Sequence, residues 1–322
     1  MTTLITGSSL LGSNVAYQLL SQNEKVIIYD QNPQPEHIGR IVRESSLVKI
    51  KKGDVLNFPE LLFTVKEEGV KRIIHTAALQ THATGPQQPY TVFKVNLEGT
   101  LNLLEICRIM DIENFVFFSS SGVYTGLTRD SGNETIGEDV LMKYISNRPT
   151  SYYSITKLSA EYFGLCYNQY YGTNFVALRF AAAFGPWTGP HGGFVGGLID
   201  KWVRASLLGQ NVSSIDLPFR AIQLIYAKDA AKASVLASRK NRLENRVLNI
   251  GMKDQCTFEQ IANAIKTIVN KGSIQFSYRE KAWSFLTPPF DVSLAEKELG
   301  FTPEFDLTAG IEDYVRFVGG TV

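Results

Sequence analysis

The sequence predicts an α/β fold, a doubly wound parallel sheet with a smaller C-terminal α/β lobe. Three observations carry that prediction. Short apolar strands alternate with helical stretches at strand–helix–strand intervals, a glycine-bearing turn of small residues follows the first strand, and the texture changes after Gly185-Pro186-Trp187 to glycine-rich loop and shorter alternations. The 322 residues suffice for a main domain over 1–185, with later returns to its sheet near 220–255, and a lobe over 186–322.

Composition narrows the partners. With 44% apolar residues and a net charge of +1 the chain reads as globular, and nothing recommends nucleic acid or a membrane surface. No apolar run approaches the ~20 residues of a membrane span. The first residues already read as a strand, so no secretory leader is expected. Cys107, Cys166 and Cys256 are few and far apart, which suits reduced core thiols in a cytoplasmic protein and no metal site. The expected partner is a small-molecule substrate.

In order, Thr2 to Thr6 is a strand, Gly7 to Gly12 a turn, and Asn14 to Ser21 a helix with Val15, Ala16, Leu19 and Leu20 facing inward. The strand Lys25 to Tyr29 ends at Asp30, 23 positions after Gly7. Strand, glycine turn, helix, strand and acid in this order suit a dinucleotide. Helix N-terminal amides hold the pyrophosphate, and the carboxylate takes the adenosine ribose hydroxyls. Asp30 would repel a 2′-phosphate, so NAD is favoured over NADP. The alternative is an ordinary βαβ unit with a turn glycine.

Next come a strand at Leu47 to Ile50, Gly53-Asp54-Val55, a helix near Phe58 to Glu68, and a strand at Arg72 to Thr76 running into Ala77-Ala78. A long helix, Tyr90 to Met110, precedes the strand Asn114 to Phe118 and the run Ser119 to Tyr124. Ligands of such sheets bind beyond the carboxyl ends of the strands, where Asp54, Ala77 and Ser120 fall. Thr125 to Thr150 reads as a loop over the site, and Phe175 to Phe180 as a sixth parallel strand. Helices follow at Phe194 to Leu208, Ala227 to Ser238, Thr257 to Val269 and Thr308 to Val318, the third with a Thr257/Gln260 capping box. Arg246 to Ile250 returns to the main sheet.

Tyr153 and Lys157 stand at i and i+4 of the helix after that loop, which puts phenol and ammonium on one face. A phenol of pKa ~10 is a poor base, but a neighbouring cation brings it toward neutral pH and makes it an acceptor for an alcohol proton. Tyr90 and Lys94 share the spacing. Context must decide between the pairs.

That context is a set of short motifs in a familiar order. Thr6-Gly7 with Gly12, Asp30, Gly53-Asp54-Val55, His75-Thr76-Ala77-Ala78, Asn96-Leu97-Glu98-Gly99-Thr100, Ser119-Ser120-Ser121, Tyr153 with Lys157, Arg179, Gly185-Pro186, Asn249-Ile250-Gly251 and Glu298 to Pro303 resemble, over nearly the whole chain, the extended short-chain dehydrogenase/reductase superfamily in its NAD-dependent epimerase/dehydratase branch. The resemblance implies a Rossmann-type main domain with NAD, a substrate-binding lobe, and a homodimer joined through the Tyr90 to Met110 and Tyr153 to Tyr171 helices. It makes Tyr153 the catalytic acid/base, Lys157 the ligand of the nicotinamide ribose, and Ser120 the hydrogen-bond donor to the reacting oxygen, with Ser121 as alternative. The implied cofactor set is Gly7, Ser9, Leu10, Leu11, Gly12, Asp30, Asp54, Val55, Ala77, Ala78, Gln80 and Phe180, with Asn96 bracing the backbone from the long helix. His75 reads as a packed side chain.

The departures from the family pattern matter as much. The glycine turn is one residue short and lacks its middle glycine, with Ser9 near that place. Ser121 and Gly122 stand where dehydratases carry acids. Ala182 replaces an asparagine that contacts a diphosphate, Gln80 a lysine of 4-epimerases, and Ile222-Gln223-Leu224 the usual Arg-Asp-Phe. Arg220 and Arg279 lie near the diphosphate-binding positions. Candidate substrate contacts are Thr81, His82, Ser121, Ala182, His191, Arg220 and Arg279, along with Gln80, Thr125 and Thr188. The expected activity is NAD-dependent hydride transfer at a secondary alcohol of a sugar, sugar acid or polyol. The alternatives are a nucleotide-sugar 4-epimerase with tightly bound NAD and a non-catalytic NAD-binding regulator.

Overall fold

The computed structural model describes residues 1–43, 45–80, 88–124, 135–140, 151–190, 193–280 and 289–319. Its main sheet is built from β1 (Thr2–Thr6), β2 (Lys25–Asp30), β3 (Val48–Lys52), β4 (Val70–His75), β5 (Asn114–Ser120), β6 (Phe175–Phe180) and β10 (Val247–Ile250). The order across the sheet is β10-β6-β5-β4-β1-β2-β3, with every neighbouring pair parallel. Both faces are covered, which explains why the strands read as continuous apolar runs. Successive residues point to opposite faces. Ile5, Ile28, Ile74, Val116 and Leu178 pack under α1 (Leu10–Leu20) and α8 (Ala227–Ala237). Leu4, Ile27, Ile73, Phe115 and Phe117 pack under α3 (Phe58–Glu67), α5 (Gly99–Ile109) and α6 (Tyr152–Tyr171). Each such side chain contributes roughly 1.5–3 kcal/mol on burial.

The second lobe holds a three-stranded sheet, β11-β9-β7, made of β7 (Ala182–Phe184), β9 (Ala221–Tyr226) and β11 (Gln255–Thr257). A parallel pair joins β8 (Asn211–Leu217) to β12 (Ser273–Tyr278). Around Trp202, Phe258 and Tyr314 pack α7 (Phe194–Leu207), α9 (Phe258–Val269) and α11 (Leu307–Gly319). The capping box is present: the Thr257 hydroxyl accepts from the Gln260 amide while the Gln260 side chain accepts from the Thr257 amide. Tying the lobes together, α10 (Ser293–Leu299) packs against the main core.

Several elements differ from expectation. Helix α1 begins at Leu10 rather than Asn14, because Gly12 has no Cβ and its turn can close over the Gly7 carbonyl; an added Cβ would stand 2.0 Å from that oxygen. A short helix α2 (Pro35–Ile41), opened by a proline in its first turn, occupies a stretch with no expected element. The long helix is three pieces: α4 (Pro89–Phe93), a π-helical turn at Lys94–Glu98, and α5. Cys107 and Cys256 are buried, but Cys166 is exposed because it lies on the outer face of α6. Among the described residues, no helix is long and apolar enough to cross a membrane, and no three His, Cys, Asp or Glu side chains gather as metal ligands.

Candidate active site

The strand order lays the expected site residues along one edge. Read across the carboxyl ends, Phe180 closes β6, Ser120 closes β5, Ala77 follows β4, Gly7 follows β1, Asp30 closes β2 and Asp54 follows β3. Five strand spacings separate the ends of this row, on the order of 24 Å. The chain reverses its winding between β1 and β4, the switch point at which such sheets open a crevice.

At the β1 end the geometry suits a pyrophosphate. Gly7 has φ +88°, and a Cβ there would meet the Thr76 hydroxyl at 2.7 Å and the Ala77 amide at 2.9 Å, so the turn tolerates glycine alone. Ser9 stands at the N-cap of α1, exposed, and its side chain makes no capping bond, although serine normally caps there. The first amides of α1, at Leu10, Leu11 and Gly12, are thus left for an anion. Asp30 is held from two sides: its Oδ2 accepts from the Ser8 amide (2.7 Å) and the Ser8 hydroxyl (2.8 Å), and its Oδ1 accepts from the Asn32 amide (2.8 Å). A carboxylate offers about four acceptor sites. One remains for a ribose hydroxyl. Asp54 is fixed by Gln31 and by the Leu56 amide, and Val55 is buried against Gly99. These residues fit a dinucleotide.

At the β5 end α6 carries the reacting pair. Ser151 caps it by accepting from the Ser154 amide (3.1 Å), which places Tyr153 in the first turn. Ser120 stands beside the Tyr153 phenol and favours its ionised form, and its Oγ accepts from the Gly122 amide (3.0 Å). Ser121 opens the 3₁₀ turn that follows. Lys157 is buried, with Nζ 4.6 Å from the Phe117 ring centre and 5.7 Å from that of Tyr153. Its ammonium donates to the Phe118 carbonyl at 2.6 Å. Burial pushes Lys157 down to about 7, and the carboxylate of Glu161 opposes that shift. Burial also pushes the Tyr153 phenol up, with Ser120 pulling the other way. This corrects the expectation of a depressed phenol: desolvation outweighs the cation, because Nζ lies over the ring and points at Phe118.

Asn96 braces this end. Its side chain accepts from the Leu79 amide (2.7 Å) and donates to the Leu79 carbonyl (3.0 Å) and the Thr156 hydroxyl (3.2 Å). It lies in the π-helical turn, and such turns often mark functional positions. His75 is fully buried between the Thr6 and Thr100 hydroxyls (2.5 and 3.0 Å), and burial, then Lys157, hold its pKa well below the usual value. It is packed, as expected. Phe180 is buried against Phe118, and Ala77, Ala78 and Gln80 are half-buried beyond β4.

The substrate side departs more from expectation. Ala182 lies in β7 and offers no polar contact. The Arg220 guanidinium stacks on Tyr278 at 4.7 Å, and Arg279 donates to the Asp216 carbonyl (3.0 Å), so both are engaged within the second lobe. Thr188 pairs with His37 of α2. Thr81, His82, Thr125 and His191 lie outside the described residues. Sequence reasoning missed Ser8, Glu161 and Gln223. The Gln223 side chain, buried, binds the Met252 carbonyl (2.6 Å) and the Phe290 amide (2.9 Å). The signal for Ser8 was its place between Gly7 and Ser9, and that for Gln223 its place in the departure Ile222-Gln223-Leu224; Glu161 had no local signal.

With this geometry in place, comparison with known proteins is informative. UDP-glucuronate 4-epimerase 4 of Arabidopsis thaliana is 26% identical over 98% of this chain and 75% of that protein. The crystal structure of UDP-glucose 4-epimerase from Thermotoga maritima superposes with a TM-score of 0.81 at 23% identity, covering 100% of this chain and 99% of that one. A partial-consensus L-threonine 3-dehydrogenase superposes at 0.84 with 22% identity, covering 99% and 100%. These structural likenesses show the fold. Residues 3–251 match a single family, and NAD is the cofactor its description names. The chain belongs to the NAD dependent epimerase/dehydratase family.

Proposed function

We propose that the protein transfers hydride at the carbon bearing a secondary hydroxyl of a small polar molecule, a sugar, sugar acid or polyol. The observation that carries the reading is the convergence of Ser120, Tyr153 and Lys157 at the end of β5. NAD supplies the hydride acceptor and, when oxidised, a positive charge. Ser120, its Oγ oriented by the Gly122 amide, donates to the substrate oxygen. Tyr153, once ionised, takes the hydroxyl proton, and the Lys157 ammonium stabilises the phenolate and holds ribose. The carbon is left as a carbonyl, and the reverse sequence returns an alcohol.

Substrate size follows from what faces the site. A diphosphate needs several charge-assisted contacts, and losing most of them costs several kcal/mol. Ala182 and Ile222 supply none, the Arg220 guanidinium stacks on Tyr278, and Arg279 gives its Nε to the Asp216 carbonyl. The likeness of 98% of this chain to a UDP-glucuronate 4-epimerase favours a second reading, in which the same residues oxidise a nucleotide sugar transiently. Incubating the purified protein with NAD and a panel of sugars, sugar acids and polyols separates the two. Net NADH accumulation is expected; epimerisation of UDP-glucose or UDP-glucuronate without added NAD would sink the small-substrate reading. The reading extends to assembly as a homodimer: α6 leaves Tyr152, Ile155, Tyr162, Phe163 and Tyr170 exposed along one flank, an apolar stripe for a second copy.

A further inference from the structure

Three consecutive residues of β5 meet three positions of α6 spaced four apart. Ser120 stands beside the Tyr153 phenol, the Phe118 carbonyl accepts from Lys157, and the Ser119 hydroxyl donates to the carboxylate of Glu161. Glu161 is the third rung, and it is locked from the far side. Arg179, the register partner of Ser119 on β6, donates Nε and Nη2 to the two Glu161 oxygens at 3.0 and 2.7 Å. Its Nη1 donates to the Tyr124 hydroxyl (2.9 Å) and the Glu138 carbonyl (3.0 Å), and Tyr124 donates to Asn249, the register partner of Arg179 on β10 (2.6 Å). Glu161 is 2% exposed and Arg179 6%. Well-packed apolar residues would serve stability as well as such a buried ion pair, so stability alone does not explain it.

We propose that Glu161 is a positioning residue of the hydride-transfer site, keeping the Lys157 ammonium charged and the end of β5 aligned with Tyr153. The inference rests on the reading of Tyr153 and Lys157 as the reacting pair. Burial disfavours the charged lysine, and Glu161 is the group that opposes it. The other groups facing Lys157 are Tyr153 on its own helix, His75 on β4, held neutral, and the Phe117 ring and Phe118 carbonyl on β5. Arg179 reaches the lysine through Glu161.

The test follows the Lys157 side chain by NMR of ¹³Cε-lysine protein, with its signal assigned by its loss in Lys157→Met. Glu161→Gln is expected to lower the Lys157 midpoint by about one pH unit, which takes the charged fraction at neutral pH from about a half to about a tenth and weakens NADH binding about fivefold, whereas Glu161→Asp, which keeps the charge, holds the wild-type midpoint. If the glutamine leaves Arg179 buried and unpaired and the variant does not fold, the double variant Glu161→Gln/Arg179→Met removes both charges and is expected to show a smaller fall in the same direction, because the repulsion of the arginine goes with the attraction of the carboxylate. A purely structural role lowers the melting temperature without moving the midpoint. An unchanged midpoint in the folded charge-removing variant overturns the inference. The cofactor reading fails separately, if Lys157→Met binds NADH as tightly as the wild type.

Discussion

Tyr153 and Asp30 make the sharpest claims on single atoms. Tyr153→Phe keeps the ring and its packing but removes the hydroxyl that exchanges the proton. Turnover of the substrate found in the panel should fall by about 100- to 10,000-fold, while NADH affinity measured by fluorescence stays unchanged. Asp30 pairs in register with Lys52 of β3, and paired residues project to the same face of a parallel sheet. Asp30→Ala therefore removes the charge that repels a 2′-phosphate and leaves a cation beside the vacancy. The NADH over NADPH binding preference should shrink about tenfold or more. Lys157 makes a claim on stability. An unfolded lysine titrates near ~10.4 and the buried one at about 7. Between those values the unfolded chain binds the extra proton, so this group adds stability as pH rises from about 7, and below 7 it carries its full cost. Lys157→Met should melt several degrees higher than wild type at acidic pH, with the gap closing on alkaline titration. At this scale the sequence was legible wherever backbone geometry or reaction chemistry restricts the residue type, as at Gly7, Asp30, Tyr153 and Lys157. It offered Ser8 only its place in the turn, since the Asp30 partner stands 22 positions on, and it was silent on Glu161, whose Ser119 partner stands 42 positions distant.

Among the elements, α1 and the pair α5–α6 show what patterns reveal and what they hide. The apolar runs of the strands located the main sheet to within a few residues, since both faces are buried. The turn before α1 was harder: it is one residue short of the family pattern and lacks the middle glycine, yet Gly7 and Gly12 still nest, and the helix starts four residues earlier than its apolar spacing implied. Short strands such as β7, with three residues, and the buried helix turn at Asn96 leave no periodic trace. Helix α6 has an inner face that packs on β5 and β6 and an outer face rich in tyrosine, a mixture that blurs its amphipathic signal. The outer face carries an assembly prediction. Tyr162, 63% exposed at the middle of the stripe, should be critical to the proposed dimer. Tyr162→Glu is expected to convert a dimer to a monomer in light scattering, with melting temperature reduced and NADH binding retained. A wild-type protein that is already monomeric at micromolar concentration would refute the assembly.

At the scale of the molecule, the fold class was legible because alternating strands and helices allow few topologies. The strand order itself, the placement of β9 in the smaller sheet and the passage of α10 back onto the main core depend on contacts remote in sequence. One consequence is that neither lobe is a continuous stretch: β10 comes from Val247–Ile250, and α8, α10 and Phe301 contribute to the main core. A chain ended after residue 245 lacks the last strand and Asn249, and should fail to show a cooperative melt or bind NADH. The same crossing has a bearing on synthesis. Phe175 to Phe180 is buried throughout, and its outer neighbour begins 67 positions later. At ribosomal speeds that is a wait of about 3 to 13 s, during which a nascent chain displays an open, apolar strand edge. Newly made protein should therefore lean on chaperones at this stage, and the rate of translation between those two strands becomes a determinant of yield.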